Sequence, residues 1–158
     1  MQFETALVAL CDAEVEFVVI GGVSAALLGS AYVTYDLDIC YARNRPNLQK
    51  LAKALAPFHP RPRGLSENLP FVWDEATLGN GSMFTLSTDA GAIDLWAEVA
   101  GLGTYAEIRD QSFLVEAYGR RLRILSLKNL IESKRAAGRP KDLMLIPELE
   151  SLLEAGEP

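Results

Sequence analysis

Two acids separated by one residue, Asp36-Leu37-Asp38-Ile39, follow a glycine pair, Gly21-Gly22-Val23-Ser24, that closes the short apolar run Phe17-Val18-Val19-Ile20. In a strand, the period-2 geometry puts both carboxylates on one face and Leu37 and Ile39 on the other. One face must then be buried while the other holds two like charges side by side. Such a pair repels unless a cation lies against it, and a Mg²⁺-dependent site needs that pairing. The glycine turn, if it opens a helix, offers backbone N–H groups and a positive dipole end to a phosphate. Together these features suggest metal-assisted nucleotide chemistry.

The histidine and cysteine counts narrow the chemistry further. A single histidine, His59, lies between Phe58 and Pro60 with no obvious nucleophile in reach, which argues against Ser-His-Asp and Cys-His machinery and against zinc held by several histidines. Carboxylates must then carry any metal, which favours a hard ion, Mg²⁺ or Mn²⁺. Cys11 and Cys40 lack metal or redox spacing and are expected as reduced core residues. At 158 residues, 49% hydrophobic and 23% charged, the chain is expected to fold as one domain over residues 1–158. Its longest apolar stretch, Phe17 to Gly29, is interrupted by glycines and too short to span a bilayer. The opening Met1-Gln2-Phe3-Glu4 has no basic n-region, so the expected location is cytoplasmic, with no membrane partner.

The net charge of −6 disfavours broad nucleic-acid binding, but the distribution is uneven. Between Arg120 and Lys141 eight basic residues stand against Glu132 alone, a local charge of +7. Most such runs are solvated faces. A basic element facing an acidic metal site would suit a polyphosphate bridging the two.

Hydrophobic periodicity predicts helices over residues 3–14, 23–28, 46–55, 105–109, 126–137 and 141–153, and strands over 16–20 and 36–41. Hairpins are expected at 83–88 with 92–97, around Asp89-Ala90-Gly91, and at 113–118 with 121–125, around Gly119. Ser126 is the expected N-cap of the penultimate helix. Residues 57–70, rich in Pro, Arg and Gly, read as a long loop, and 71–78 are ambiguous between strand and helical turn. Arg61 and Arg63 are expected to be solvated in that loop, and Trp73 and Trp96 to be core residues. The strands outnumber a simple βαβ series. The expected class is therefore α+β, a mixed β-sheet flanked by helices, with residues 126–154 forming C-terminal helices packed on the sheet.

One more acid joins the pattern. Ala92-Ile93-Asp94-Leu95-Trp96 places Asp94 inside an apolar strand, where a lone carboxylate must be compensated. A cation shared with Asp36 and Asp38 would do this. So would an arginine partner or an exposed strand face, and the residues alone leave these alternatives open.

Gly21-Gly22-Val23-Ser24, Asp36-Leu37-Asp38 and Asp94 resemble the signature of the DNA polymerase β-like nucleotidyltransferases. Small bacterial stand-alone members are the most similar, including the toxins of abortive-infection, type IV-like toxin–antitoxin systems. The tail Leu125-Ser126-Leu127, Lys134-Arg135 and Arg139-Pro140-Lys141-Asp142-Leu143 is similar to theirs, so the resemblance spans residues 16–150. It implies a nucleotidyltransferase-like fold and transfer of a nucleoside monophosphate from an NTP to a hydroxyl on RNA (tRNA included), protein or a small molecule. It further implies Mg²⁺ or Mn²⁺ on Asp36, Asp38 and Asp94, with Asp94 as third ligand or base. Gly21, Gly22 and Ser24 would hold phosphates, and Lys134, Arg139 or Lys141 would neutralise pyrophosphate, unless these cations instead pair with Asp142 and Glu148. An antitoxin protein is an implied partner of the toxin version. Relatives often carry basic residues where this chain has Tyr32 and Tyr35, which motivates an alternative, a degenerate nucleotide- or partner-binding module. A homodimeric scaffold assembled through Phe71 to Trp73 is a third expectation.

Overall fold

The structure, a computed structural model, describes residues 3–31 and 33–156, so readings that rest on Met1, Gln2 or Tyr32 fall outside the described residues. Helix α1 (Phe3–Asp12) precedes strand β1 (Phe17–Ile20), which runs directly into α2 (Gly21–Leu27). Strand β2 (Asp36–Tyr41) follows, then α3 (Arg45–Leu55) with a 3₁₀ turn at Ala56–Phe58. Next come β3 (Arg61–Pro62), α4 (Glu75–Gly79), β4 (Met83–Thr88) and β5 (Gly91–Trp96). A small ribbon, β6 (Glu98–Val99) with β7 (Gly103–Thr104), leads to α5 (Tyr105–Arg109). Hairpin β8 (Phe113–Ala117) and β9 (Arg120–Ile124) then feeds α6 (Leu127–Ala137) and α7 (Pro140–Glu154).

The seven-stranded sheet has the order β3-β4-β5-β2-β1-β9-β8. It is mixed: β1 lies antiparallel to β2 but parallel to β9, and β2 lies parallel to β5. The α+β expectation, a mixed sheet with helices around it and a helical C-terminal segment, holds. Alternation along β2 and β5 works as the spacing dictates. Leu37, Ile39, Ile93 and Leu95 have no exposed surface and join the core with Leu7, Leu10, Leu51 and Leu55. Each such side chain contributes about 2 kcal/mol by leaving water.

Local chemistry sets the element boundaries. Asn44 caps α3 by accepting from the Asn47 amide at 3.0 Å, with Pro46 in the first turn. Ser126 caps α6, accepting from the Asn129 amide at 3.1 Å. Buried Asn47 also bonds both backbone groups of Glu16 and the Ala42 carbonyl, tying α3 to the start of β1 and the end of β2. The ambiguous stretch after the long loop resolves as α4, because Asp74 accepts from the Thr77 amide at 2.8 Å and starts a helix. The loop itself is not structureless. Arg61–Pro62 add a strand to the sheet edge, and Arg61 donates to the Ser66 and Leu69 carbonyls. No helix among the described residues is long and apolar enough to cross a membrane.

Candidate functional site

Parallel pairing of β2 with β5 sets Asp38 directly beside Asp94 and Asp36 beside Ala92. Paired residues share a face, so the three acids converge opposite the core face. One carboxylate oxygen from each of Asp36, Asp38 and Asp94 lies within 4.8 Å of the other two. Among the described residues this is the one such cluster of potential ligands. Asp94 is 6% exposed, and the core packs behind it.

The site's charge is only partly compensated. Burial, then the neighbouring Asp36 charge, pushes the Asp38 carboxyl up to about 7, while a hydrogen bond from Trp96 opposes the shift. Asp94 is also raised, first by burial, against a hydrogen bond and charge from Arg63. Trp96 Nε1 donates to Asp38 Oδ1 at 3.0 Å, and Arg63 Nη2 donates to Asp94 Oδ1 at 2.7 Å. Both contacts correct the sequence reading. Trp96 lies at the site as well as against the core, a position its spacing from Asp94 on the same strand could have revealed. Arg63, expected in solvent, is bound to the third acid. One of the alternatives for Asp94, an arginine partner, is therefore realised together with the acid cluster.

The glycine pair is explained by close approach. Gly21 opens α2 with φ +67°, and a Cβ there would sit 2.6 Å from Asp38 Oδ2. A Cβ on Gly22 would lie 2.5 Å from Thr34 Oγ1. The helix start is thus pressed against the acid and the segment leading to it, which only glycine permits. Gly21→Ala is expected to destabilise the fold by about 2 kcal/mol, through backbone strain and displacement of Asp38. Urea unfolding checks this, and an unchanged midpoint would refute the close-approach explanation.

A cavity of about 270 Å³ above the acids is lined by Gly22, Thr34, Tyr35, Lys134, Arg139 and Lys141, among others. A second, of about 230 Å³, adjoins it beside Gly21, Trp96 and Ser133 and shares Asp38, Lys134 and Arg139. The acids, the glycine pair and the three cations of α6 and α7 are therefore brought together. Ser24 is not. Its side chain is fully buried and its hydroxyl donates to the Leu125 carbonyl at 3.3 Å, so it clamps α2 to the segment before α6 and does not face the cleft. The cause is its place one helical step inside α2, which turns it inward.

The cations are held from below. Asp142, 1% exposed, accepts from Lys134 Nζ at 3.3 Å and from Arg139 Nε at 2.6 Å. Burial works against its charge, but Arg139 and Lys134 outweigh that and keep its carboxyl below the usual range. The pairing expected with Asp142 therefore occurs, and both cations still line the cavity. Glu148 instead accepts from the Ser30 hydroxyl and the Ala31 amide, at 2.9 and 2.8 Å. No ion pair of Lys141 is found among the described residues. At the cavity mouth Tyr35 is 73% and Val33 63% exposed. The basic character expected from relatives is absent at Tyr35, and Tyr32 lies outside the described residues.

No family model and no curated protein matches the sequence. Among solved structures, the chain is similar to a presumed nucleotidyltransferase from Thermotoga maritima. The two share 16% identity and a TM-score of 0.59, over 94% of this chain and 92% of the other. Similarity at that identity establishes architecture, and the architecture is nucleotidyltransferase-like.

Proposed function

We propose that the protein is a metal-dependent nucleotidyltransferase that moves a nucleoside monophosphate from an NTP to a hydroxyl acceptor. The observation that carries this is the convergence of Asp36, Asp38 and Asp94 within 4.8 Å of one another. They lie against a glycine turn and under a cavity walled by Lys134, Arg139 and Lys141. Three carboxylates from two adjacent strands offer only hard oxygen donors, which favours a hard ion such as Mg²⁺ or Mn²⁺. When bound, the metal would stabilise the attacking and leaving oxygens of an in-line displacement at the α-phosphorus.

The chain's own groups supply the rest. Asp36 and Asp38 would hold the metal, with Asp94 completing the set or taking the acceptor proton. The Gly21 and Gly22 amides would receive phosphate oxygens that a side chain at either position would exclude. Lys134 and Arg139, held in place by Asp142, would draw off the charge of the departing pyrophosphate, with Lys141 beside them. In this proposal the chain is one domain of the bacterial cytoplasm, acts on RNA (tRNA included), protein or a small molecule, and is free to dimerise. The growth-inhibiting version, a toxin held by an antitoxin protein, rests on the sequence resemblance. It requires that induced expression stop growth and that an Asp38→Asn variant not do so.

The degenerate binding module is the second reading, favoured by exposed, uncharged Tyr35 at a position where relatives carry a cation. Incubation with α-labelled NTPs, Mg²⁺ or Mn²⁺, and total RNA or lysate separates the two. A labelled product absent from an Asp36→Asn/Asp38→Asn control supports the transferase. Metal-dependent NTP binding without product supports the module, and neither result would sink both.

A further inference from the structure

The sheet face that carries the acids continues across β4 to the edge strand, and its register aligns Arg63 with them. β3 pairs Arg61 with Ser87 and Pro62 with Leu86, and the Arg63 amide extends that ladder to the Thr85 carbonyl at 2.8 Å. Thr85 pairs with Asp94, and Asp94 with Asp38. Arg63, Thr85, Asp94 and Asp38 thus form one row on one face. The guanidinium reaches over that row. Besides the 2.7 Å bond to Asp94 Oδ1, Nη2 donates to the Leu86 carbonyl at 2.9 Å. Arg63 is therefore tied to β4 through both backbone and side chain, and it fixes one oxygen of a carboxylate that is otherwise crowded by Asp36 and Asp38.

We propose that Arg63 is a positioning residue for nucleotidyl transfer. It acts through Asp94, holding the third carboxylate toward Asp36 and Asp38 and offsetting the triad's charge until a divalent cation enters. Without that grip, like-charge repulsion would turn Asp94 out of the metal-free cluster; a bound cation would draw it back, in an orientation the guanidinium no longer sets. The role in transfer rests on the function proposed above, whereas the grip itself is measurable without turnover. Arg63 has a competing effect as well, since its charge opposes the arrival of a cation. Orientation and metal affinity should therefore respond in opposite senses to its removal, which a general stabilising role would not produce.

The experiment compares full-length wild type with Arg63→Ala, Arg63→Lys, Asp94→Asn and the Arg63→Ala/Asp94→Asn double variant. Mn²⁺ binding by calorimetry, thermal melting, kcat and the NTP KM are measured for each. Arg63→Ala is expected to bind Mn²⁺ at least as tightly as wild type, up to about 10-fold tighter. Its kcat should fall about 10- to 100-fold, with the NTP KM within about 3-fold. Arg63→Lys should recover part of kcat, since an ammonium restores the charge but not the guanidinium fork. Asp94→Asn should weaken Mn²⁺ binding and lower kcat, and adding Arg63→Ala to it should lower kcat no further, because the grip acts only through Asp94. Unchanged kcat in Arg63→Ala, or parallel losses of melting temperature, Mn²⁺ affinity and kcat, would overturn the proposal. So would an Arg63→Ala loss of kcat that persists in the Asp94→Asn background. If wild type binds Mn²⁺ yet transfers nothing, the functional reading falls. The Mn²⁺ cycle then decides the grip alone, non-additivity upholding it and additivity refuting it.

Discussion

Under the proposed function, Asp38→Asn is expected to lower nucleotidyl transfer on the order of 10³-fold, and it should make the metal-free protein more stable at neutral pH. The loss follows from removing a negative charge at the centre of the triad. The gain follows from the price of keeping that charge buried. The Asp38 carboxyl titrates near 7 in the folded protein, against 3.8 for the ordinary side chain. Folding therefore binds a proton between those values, and the folded state is disfavoured as pH rises from about 4 to about 7. The penalty is fully present above about pH 7 and amounts to roughly 4 kcal/mol. An asparagine still offers Trp96 an acceptor and carries no such penalty. Urea unfolding in chelator should show wild type losing stability over that pH window relative to Asp38→Asn, and Mg²⁺ should stabilise wild type more at pH 8 than at pH 6. An Asp38→Asn variant less stable than wild type at pH 8 in chelator would refute this account.

Asp142→Ala should unfold the C-terminal helices' anchoring, at a cost of about 3–5 kcal/mol. Asp142 is almost fully buried, and it bonds Lys134, the Arg139 guanidinium and the Arg139 amide that starts α7. Removing it leaves the Lys134 ammonium, itself only 17% exposed, without its counter-charge. For a chain of this size the melting temperature should fall by about 10 °C. The pH behaviour opposes that of Asp38. The Asp142 carboxyl lies below its usual value, so its contribution is present above about pH 4 and is lost as pH falls further. Asp142→Asn should cost less, since the amide still accepts at the helix start. Any NTP binding should weaken in both variants, because Lys134 and Arg139 would no longer be held over the cavity. A melting temperature for Asp142→Ala within about 2 °C of wild type would show that the buried pair contributes little.

Local patterns carried much of the architecture. The period-2 alternation of Asp36-Leu37-Asp38-Ile39 and of Ile93-Asp94-Leu95 reports which side chains face the core, and Leu37, Ile39, Ile93 and Leu95 do so, although Asp94 on the other face is buried too. Ser126 and Gly138 mark the ends of α6 because capping chemistry is local. The Asp89-Ala90 turn marks the β4–β5 hairpin for the same reason. What stayed hidden depends on long-range pairing. Arg63 lies 31 positions before Asp94, in a segment with no periodicity, and reaches it only because the edge strand docks on β4. Ser24 looked equivalent to the glycines beside it, yet the turn of α2 sends its hydroxyl to Leu125, 101 positions away.

By itself, then, the sequence determined the chemical inventory and its local geometry. The inventory comprises three acids with paired orientation on strands, a glycine pair able to approach them, and a cation-rich C-terminal segment. Tertiary structure decided the assembly. Strand order placed β2 beside β5 and brought Asp94 level with Asp38. Helix packing laid Lys134 and Arg139 over the acids, with Asp142 beneath. The edge strand delivered Arg63. The physical reason is range: side-chain alternation, turns and caps are set by neighbours a few residues apart. The charge balance of a buried site depends on which distant strands and helices share its face, and only the folded sheet settles that.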